Sequence, residues 1–405
     1  MEVASIAYFD FDGMVDVRVI SNKERVNSAR VRPLSYKITP DCVGDTVTFS
    51  LSRPRNLSVE VNGDIFHNLH LFANPIDKFR PSDKEIQRAL KKKKGSNLIY
   101  FGPGVHNLPN DTLFVPSGTT VYIDGGARVY GNIFTEGAHD VNIFGRGEVH
   151  PDGRGAGVWV RRSKNVRIDG IVVSQLPIGQ CDSVELTNVK SISYYGWGDG
   201  MDVFSSSNVI LDGVFCRNSD DCAAVYASTQ GFKGGSNNVL VKNATLWADV
   251  AHPINIGGHG DPNGMDTVQN VTFRNIDILD QAEKQIDYQG CLAINPGDNT
   301  LVRNITFENI RIEDFRNGQL VNFRISFNPK YCVSTGRGIQ NVLVKDVTYN
   351  GSGENLSIIA GYDENHKISG IRFVNLVVNG RKITDDMPGK PKWYKTGDMA
   401  GIFVG

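Results

Sequence analysis

The sequence predicts an all-β protein, a right-handed parallel β-helix preceded by a small antiparallel β-sandwich. Three observations lead to this prediction: a degenerate repeat of short strands over most of the chain, no helical periodicity within that repeat, and a separate alternating pattern before it. The 405 residues are 40% hydrophobic, which is ample for a globular core. We expect a β-sandwich over residues 1–76, a catalytic β-helix over 77–382 and a C-terminal tail over 383–405.

The repeat is a set of short segments in which Asn or another small residue precedes an aliphatic one, as in "KNVRIDGIVV" and "SNVILDGVFC". Nine versions occur, with anchors at Val141, Val166, Val189, Val209, Val239, Val271, Ile305, Val342 and Ile371. The anchors are 20 to 37 residues apart, the length of a supersecondary unit that stacks on its neighbours. We therefore expect coils of short parallel strands about 4.8 Å apart, with the Asn residues forming a ladder inside the helix.

The regions that flank the repeat have patterns of their own. Residues 1–76 alternate apolar and polar side chains around an Asn62-Gly63 turn, which is typical of antiparallel strands. Residues 82–94, "SDKEIQRALKKKK", predict a helix with Ser82 or Asp83 as N-cap, placed to close the open end of the β-helix. The tail after Lys382 is expected to be irregular and to pack on the β-helix.

Composition excludes several classes of function. The 43 Lys and Arg balance 44 Asp and Glu, so no electrostatic signal favours nucleic acid or an anionic membrane as partner. No window approaches the roughly 20 apolar residues of a membrane span. The six cysteines lack zinc-type spacing and are expected to be buried free thiols. We expect a monomer without cofactor or metal, either cytoplasmic or, as favoured here, secreted or periplasmic with a signal peptide outside this sequence.

Acidic residues at matching positions of consecutive coils are the main functional signal. "GWGDGMDVF" carries Asp199 and Asp202, "NSDDCAAV" carries Asp220 and Asp221, and "VAHPINIGGHG" carries His252. Stacked carboxylates repel one another, so a scaffold would avoid them unless they bind a cation or transfer protons. Because side chains alternate along a strand, the adjacent pair faces one groove only if the chain bends there. Two carboxyl groups about 6.5 to 9.5 Å apart would suit inverting glycoside hydrolysis, and a third would keep one of them protonated near neutral pH.

The segments "GDGMD", "NSDDCAAV" and "HPINIGG" resemble the motifs of glycoside hydrolase family 28, the polygalacturonase-like enzymes. Those motifs read Asn-Thr-Asp-Gly-Ile-Asp, Asp-Asp-Cys-Ile-Ala-Ile and Gly-His-Gly-Ile-Ser-Ile-Gly. A β-sandwich ahead of a β-helix is also similar to family 49, the dextranases and isopullulanases of the same clan. The family 28 resemblance implies that Asp220 is the general acid and that Asp199 and Asp221 hold and deprotonate the attacking water. It gives His252 the role of orienting or tuning the acid.

The chain departs from this family where the sugar would bind. Polygalacturonases hold a uronate carboxylate with Arg-Ile-Lys, whereas the matching point here is Ala293-Ile294-Asn295. Arg324, one coil later, is a candidate to compensate for the missing cations. The residues expected to contact a carbohydrate substrate are Asp202, Trp197, His259, Asn295, Arg324 and Tyr288.

The sequence thus predicts an inverting glycoside hydrolase that cleaves α-glycosidic bonds of a polysaccharide or oligosaccharide. Two alternatives stay open. One is a β-helical polysaccharide lyase or epimerase, in which the aspartates bind Ca²⁺ and a Lys or Arg abstracts a proton. The other is a non-catalytic carbohydrate-binding solenoid, which would share the repeats but would not need an acid cluster.

Overall fold

The computed structural model describes residues 4–91, 95–151, 153, 155–325, 327–352, 354–385, 394–396 and 402–404. It divides into two compact units, Met1–Arg80 and Pro81–Gly405. Within the described ranges one α-helix, α1 (Asp83–Leu90), and two 3₁₀ turns (Leu34–Tyr36 and Ile286–Tyr288) accompany the strands, so the all-β prediction is confirmed. Searching the same ranges for a helix with the length and apolarity of a membrane span finds none.

The N-terminal unit consists of two sheets that share an apolar core. Its strands are β1 (Ser5–Phe11), β2 (Val15–Ile20), β3 (Ala29–Arg32), β4 (Asp41–Val43), β5 (Thr46–Leu51), β6 (Arg55–Val61) and β7 (Asp64–Pro75). One sheet has the order β1-β7-β6-β3 and the other β2-β5-β4. Asn62 and Gly63 both have positive φ, the geometry of a tight hairpin, between β6 and β7. The sandwich is not wholly antiparallel, because β1 pairs in parallel with β7.

The second unit is a parallel β-helix, as predicted. Its strands in chain order are β8 (Leu98–Phe101), β9 (Gly104–Phe114), β10 (Thr120–Ile123), β11 (Ala127–Glu136), β12 (His139–Gly145), β13 (Glu148–His150), β14 (Val158–Arg161), β15 (Lys164–Asp169), β16 (Val172–Val173), β17 (Ile178–Gly179), β18 (Asp182–Thr187), β19 (Lys190–Ile192), β20 (Met201–Phe204), β21 (Ser207–Asp212), β22 (Phe215–Asn218), β23 (Ala223–Tyr226), β24 (Ser236–Lys242), β25 (Thr245–Ala248), β26 (Ile254–Ile256), β27 (Thr267–Gln281), β28 (Leu292–Ile294), β29 (Leu301–Ile312), β30 (Gly318–Gln319), β31 (Val321–Arg324), β32 (Gly338–Tyr349), β33 (Glu354–Asn355), β34 (Ser357–Ala360), β35 (Ile368–Val378), β36 (Arg381–Lys382), β37 (Tyr394–Thr396) and β38 (Ile402–Val404).

Strands of successive coils pair side by side in three columns. The column that matters for function runs β14, β17, β20, β23, β26, β28, β31, β34 and β37, each strand parallel to the next. Inward side chains of all three columns form one continuous apolar core, which runs from Leu108 to Ile383. Outward side chains of this column are therefore stacked along one surface of the protein, at regular intervals set by the coils.

The predicted register is right at eight anchors and wrong at one. Val166 pairs with Val184, and Val184 pairs with Val209, so Val184 rather than Val189 is the anchor of its coil. The remaining anchors pair in the predicted order. The error arose because "TNVKSI" repeats the Asn-Val signature at the bend before β19, where Val189 is buried just as an anchor would be.

Asn residues do form ladders, but on the outside of the helix. Asn208, Asn238 and Asn270 lie near the starts of β21, β24 and β27, where each has a left-handed backbone with φ between 55° and 57°. Asn238 Nδ2 donates to Asn208 Oδ1 at 2.7 Å, and both side chains are exposed. The interior is filled by Val, Ile, Leu and Phe, so an amide ladder would lose its hydration there.

The two ends of the β-helix differ from expectation in detail. Helix α1 begins at a capping box in which Ser82 and Glu85 bond each other's backbone N–H, and it buries Ile86 while packing against β8. It ends at Leu90, and residues 92–94 of the expected helix lie outside the described residues. The expected irregular tail is wrong in two places, because β37 and β38 pair in parallel with β34 and β35. Residues 386–393, 397–401 and 405 of the tail also lie outside the described ranges.

Candidate active site

The acidic pair Asp220-Asp221 lies in a bend between β22, which ends at Asn218, and β23, which begins at Ala223. The bend expected from the sequence is therefore present. Pairing of Met201 with Ala223 fixes a step of 22 residues between these coils. Carried back along the chain, this register places Asp199 beside Asp221, and Gly200 N–H donates to Asp221 O at 2.7 Å. From the sequence, the 21 residues between Asp199 and Asp220 suggest one short coil with Asp199 stacked on Asp220, but the structural step is one residue longer.

Three carboxyl groups converge at this bend. One oxygen each of Asp199, Asp220 and Asp221 can be chosen so that all three lie within 4.8 Å of one another. This is a nearest-oxygen spacing, and it is shorter than the 6.5 to 9.5 Å expected for two carboxyl groups that flank a sugar and a water. Spacing alone therefore does not select an inverting over a retaining reaction.

Asp221 is held by four hydrogen bonds. Its Oδ1 accepts from the His252 backbone N–H at 3.0 Å and lies 2.7 Å from His252 Nδ1. Its Oδ2 accepts from Tyr226 Oη at 2.6 Å and from Asn255 Nδ2 at 2.8 Å. A carboxylate has about four lone-pair sites, so these donors satisfy the anion in full. His252 was expected to act on Asp220, but its hydrogen bonds go to Asp221.

Adjacent positions give Asp220 and Asp221 opposite pKa shifts. Burial raises the pKa of Asp221, but the charge and hydrogen bond of His252 and the bonds from Tyr226 and Asn255 outweigh it and hold the pKa below its ordinary value. Burial and the neighbouring charge of Asp221 raise the pKa of Asp220 to about 7. At mildly acidic pH the site thus holds one protonated and one ionised carboxyl group side by side.

Asp199 and Asp202 complete the acidic cluster. Burial raises the pKa of Asp199 well above its ordinary value, and the charges of Asp220 and Asp221 add to the effect. Asp202 is 5% exposed, and its Oδ1 has no hydrogen-bond partner among the described residues. Burial, followed by the charges of the other three aspartates, raises its pKa in the same way. Asp202 therefore lines the cleft as a buried carboxyl group whose protonated form is favoured.

The convergence of Asp199, Asp220 and Asp221 is the arrangement in the described part of the chain that could hold a metal ion. Carboxylate oxygens suit Ca²⁺ or Mg²⁺. Asp221, however, already accepts four hydrogen bonds, so a cation would have to displace a donor to bind this residue. The cluster fits a proton-transfer site better than a closed cation site.

The acids open into a cleft of about 890 Å³. Asp199, Asp202, Asp220 and Asp221 line it together with Trp197, which is 72% exposed, and Tyr288. Both rings are thus placed where an aromatic face can pack on a sugar. His252 is fully buried behind Asp221, with its ring 4.5 Å from that of Tyr288, and does not line the cleft.

A second compartment of about 290 Å³ adjoins the first. Asn295 and Arg324 line it, and His259 lines both compartments. All the expected substrate-binding residues therefore line one or both of two adjoining compartments. Of the expected catalytic residues, His252 lines neither compartment.

Sequence reasoning missed Tyr226 and Asn255, both of which bond Asp221. Their signal lies in the strand register. Asp202 pairs with Ala224, Ala224 with Asn255, and Asn255 with Ala293, so small and polar residues alternate along one outward row. The adjacent outward row stacks Tyr226 on Phe204, with ring centroids 5.8 Å apart. Correct alignment of the coils would have revealed both rows.

Solved structures share this fold over nearly the whole chain. Dex49A from Penicillium minioluteum matches with a TM-score of 0.69 at 14% identity, covering 99% of this chain and 83% of that one. The family 28 exopolygalacturonase of Yersinia enterocolitica matches with a TM-score of 0.57 at 13% identity, covering 88% of this chain and 85% of its own. At these identities the likeness shows the fold.

Similarity to curated proteins and to a family model shows the protein family of this chain. A polygalacturonase of Juniperus ashei is 26% identical over 295 residues, 64% of this chain and 54% of that protein. An exopolygalacturonase of Cochliobolus carbonum is 24% identical over 246 residues, 52% of each chain. The chain thus spans about half the length of the curated relatives that it matches. The model "Glycosyl hydrolases family 28" matches residues 158–387, which include every acid of the cluster. Since that match covers more than half of the sequence, the chain belongs to glycosyl hydrolases family 28.

Proposed function

We propose that this protein is an inverting glycoside hydrolase that cleaves α-glycosidic bonds of a polysaccharide or oligosaccharide, and that the β-helix carries the catalytic site. Membership of family 28 supports a glycosidase. The curated relatives are named as polygalacturonases, which act on sugar chains, and this supports a carbohydrate substrate. Trp197 and Tyr288, which line the acidic cleft, are suited to contact the sugar faces.

In the proposed reaction Asp220 gives its proton to the glycosidic oxygen as the bond from that oxygen to the anomeric carbon breaks. A water held between Asp199 and Asp221 attacks the same carbon from the opposite face and loses a proton to this pair. Asp199 contributes a carboxyl oxygen that contacts the water. Asp221 supplies the negative charge, and one of its four hydrogen-bond donors moves away as the proton arrives. Solvent then reprotonates Asp220 and removes the proton from the pair, which restores the starting state.

One observation carries the proposal: adjacent carboxyl groups in one cleft have pKa values shifted in opposite directions. Asp220, with a pKa of about 7, can stay protonated at the pH where Asp221 is ionised. Two titratable groups whose environments separate their pKa values are the signature of an acid and base assignment. A β-helix that only bound carbohydrate would gain nothing from burying carboxyl groups that repel one another.

Product analysis tests the proposal. The purified protein is incubated with pectic fragments, dextran, pullulan and other glycans, with and without EDTA. We expect new reducing ends whose formation EDTA does not affect, and ¹H NMR of the first products should show inversion at the anomeric carbon. Retention at that carbon would exclude the inverting assignment. Loss of all turnover with intact binding would leave a carbohydrate-binding protein.

A lyase or epimerase is the second candidate, because three carboxyl groups converge and Lys284 and Lys330 line the same cleft. It requires a cation at the acids, which the four hydrogen bonds to Asp221 oppose. Unsaturated products in the ultraviolet spectrum, lost on chelation, would establish this alternative and reject hydrolysis.

A further inference from the structure

The smaller compartment is a direct extension of the acidic cleft. The two spaces share a wall made of Tyr226, His259, Gln285, Tyr288 and Tyr331. In that wall the rings of Tyr288 and Tyr331 stack with centroids 5.2 Å apart and planes 18° apart. A volume of about 290 Å³ suits a single sugar ring. A glycan bound at the acids would therefore place a neighbouring ring in the smaller compartment.

Asn255 presents an unpaired acceptor at this compartment. Its Nδ2 donates to Asp221 Oδ2 at 2.8 Å and to Tyr226 Oη at 3.0 Å, and this fixes which end of the amide is nitrogen. Asn255 is 1% exposed and lines the compartment, yet its Oδ1 has no partner among the residues described. A buried acceptor left unpaired is unfavourable, so the site is suited to a ligand that donates a hydrogen bond.

Asn295 presents a second acceptor, and a relay of amides sets its orientation. Gln319 Nε2 donates to Leu356 O at 3.0 Å, and Asn322 Nδ2 donates to Gln319 Oε1 at 3.0 Å. Asn322 Oδ1 in turn accepts from Asn295 Nδ2 at 3.1 Å. The relay starts from a backbone carbonyl, which can only accept, so each amide nitrogen is assigned. Asn295 Oδ1 is then the remaining acceptor, and within the described chain it too lacks a partner.

We propose that the smaller compartment binds one uncharged sugar ring through the Oδ1 atoms of Asn255 and Asn295, and that the enzyme acts on a neutral glycan in preference to a polyuronate. This inference rests on the proposed function. Sugar hydroxyls donate hydrogen bonds to such oxygens, whereas a uronate ring has an ionised carboxylate in place of the C6 hydroxyl, a group that cannot donate and that these oxygens repel. A site that leaves buried acceptors unpaired discriminates strongly against a ligand lacking the donor.

The charge of the larger compartment does not attract a polyuronate. Six carboxyl groups line it against three cations (Lys284, Arg316 and Lys330), and the pKa values of three of the six, Asp199, Asp202 and Asp220, are raised, so the remaining acids only equal the cations in number. Arg316 is already engaged, since it bonds Asp249 at 2.7 Å and Asp280 at 2.5 Å. A sugar chain with a carboxylate on each ring would therefore meet no net positive charge along this compartment. Arg324, which lines the smaller compartment, is the cation that opposes the proposal.

Binding of matched ligands tests the proposal. Tetragalacturonate and its carboxyl-reduced counterpart have the same linkage and differ only in the carboxylates, and isomaltotetraose and maltotetraose extend the neutral set. Titration calorimetry with the Asp220→Asn variant measures affinity without turnover. We expect a neutral tetrasaccharide to bind about tenfold or more tightly than tetragalacturonate. Tighter binding of tetragalacturonate than of every neutral ligand, or no binding of any neutral ligand, would overturn the proposal.

Two further substitutions in the Asp220→Asn background identify the cause. Asn295→Lys should weaken the neutral ligand and tighten tetragalacturonate by about tenfold, because it replaces an acceptor by a cation. Arg324→Gln should leave the preference for the neutral ligand in place. If Arg324→Gln instead abolishes a preference for tetragalacturonate, Arg324 is a uronate contact and the proposal fails. Hydrolysis is judged separately on the native enzyme: neutral binding without new reducing ends rejects the hydrolase alone, and cleavage with uronate preference rejects this inference alone.

Discussion

His252 Nδ1 lies 2.7 Å from Asp221 Oδ1, and the backbone N–H of the same residue donates to the same oxygen at 3.0 Å. One fully buried residue thereby supplies two of the four donors that stabilise the Asp221 anion. Burial, together with the charge of Asp221, in turn raises the pKa of the neighbouring Asp220 to about 7. His252 therefore hydrogen-bonds the acid's neighbour and not the acid itself, as a positioning residue behind the cleft.

Replacing His252 tests this coupling. In His252→Ala the side-chain donor is lost while the backbone N–H remains, so the pKa of Asp221 should rise. The acid limb of the kcat/KM profile should then move to higher pH, with kcat/KM at the optimum reduced about tenfold or more. His252→Asn is the matched control, since its amide can reach the Nδ1 position and should recover part of the loss. An alanine profile that superimposes on the native one would exclude the role given to His252.

Tyr226→Phe removes a single hydrogen bond from the same carboxylate. The ring should keep its stack on Phe204, whose centroid is 5.8 Å away, so the fold is expected to persist. Loss of the 2.6 Å bond should raise the pKa of Asp221 and reduce kcat by about tenfold, corresponding to about 1.5 kcal/mol for a bond to a charged group. Tyr195→Phe is the control, because its hydroxyl bonds Gly155 O and none of the acids. Equal loss in both variants would show that Tyr226 has only a structural role.

Asp220 itself sets the basic limb of the activity profile. Its pKa of about 7 means that the acid loses its proton, and the enzyme its activity, as pH rises through 7. Asp221 stays ionised to lower pH than an ordinary aspartate, so activity should extend well into the acidic range. Asp220→Asn should lower kcat by about 10³-fold or more with unchanged circular dichroism. Residual activity of more than a few per cent would exclude Asp220 as the acid.

The sequence was sufficient for the repeat, the bend at Asp220-Asp221 and the acids that meet there, because stacked coils turn sequence spacing into spatial proximity. It was not sufficient where two nearby segments both fit the repeat pattern. Val189 and Val184 both follow a polar residue and are both buried, and only strand pairing distinguishes the anchor. The same limit concealed Tyr226 and Asn255, whose importance depends on facing Asp221 from other strands.

The raised pKa of Asp220 should also appear in stability. An aspartate whose pKa rises from 3.8 to about 7 on folding binds a proton more tightly in the folded state, so it destabilises that state progressively as pH rises through this window. Asp220→Asn removes this cost. Its Tm should exceed that of the native protein by about 2 °C or more at pH 8, and the difference should shrink towards pH 4. A difference independent of pH would mean that the carboxyl group is not perturbed by folding.

The external Asn ladder offers a test of the scaffold that is independent of the active site. Asn238 has φ of 57°, and its amide donates to Asn208 at 2.7 Å. Asn238→Ala loses this hydrogen bond. It also forces alanine, which has a Cβ and no polar side chain, into the left-handed region, and this costs about 1–2 kcal/mol. Asn238→Gly loses the same bond but adopts positive φ without strain. We therefore expect the alanine variant to unfold at lower urea concentration than the glycine variant, with kcat unchanged in both. If the two variants are equally stable, the ladder bond rather than the backbone conformation is what selects Asn at these positions.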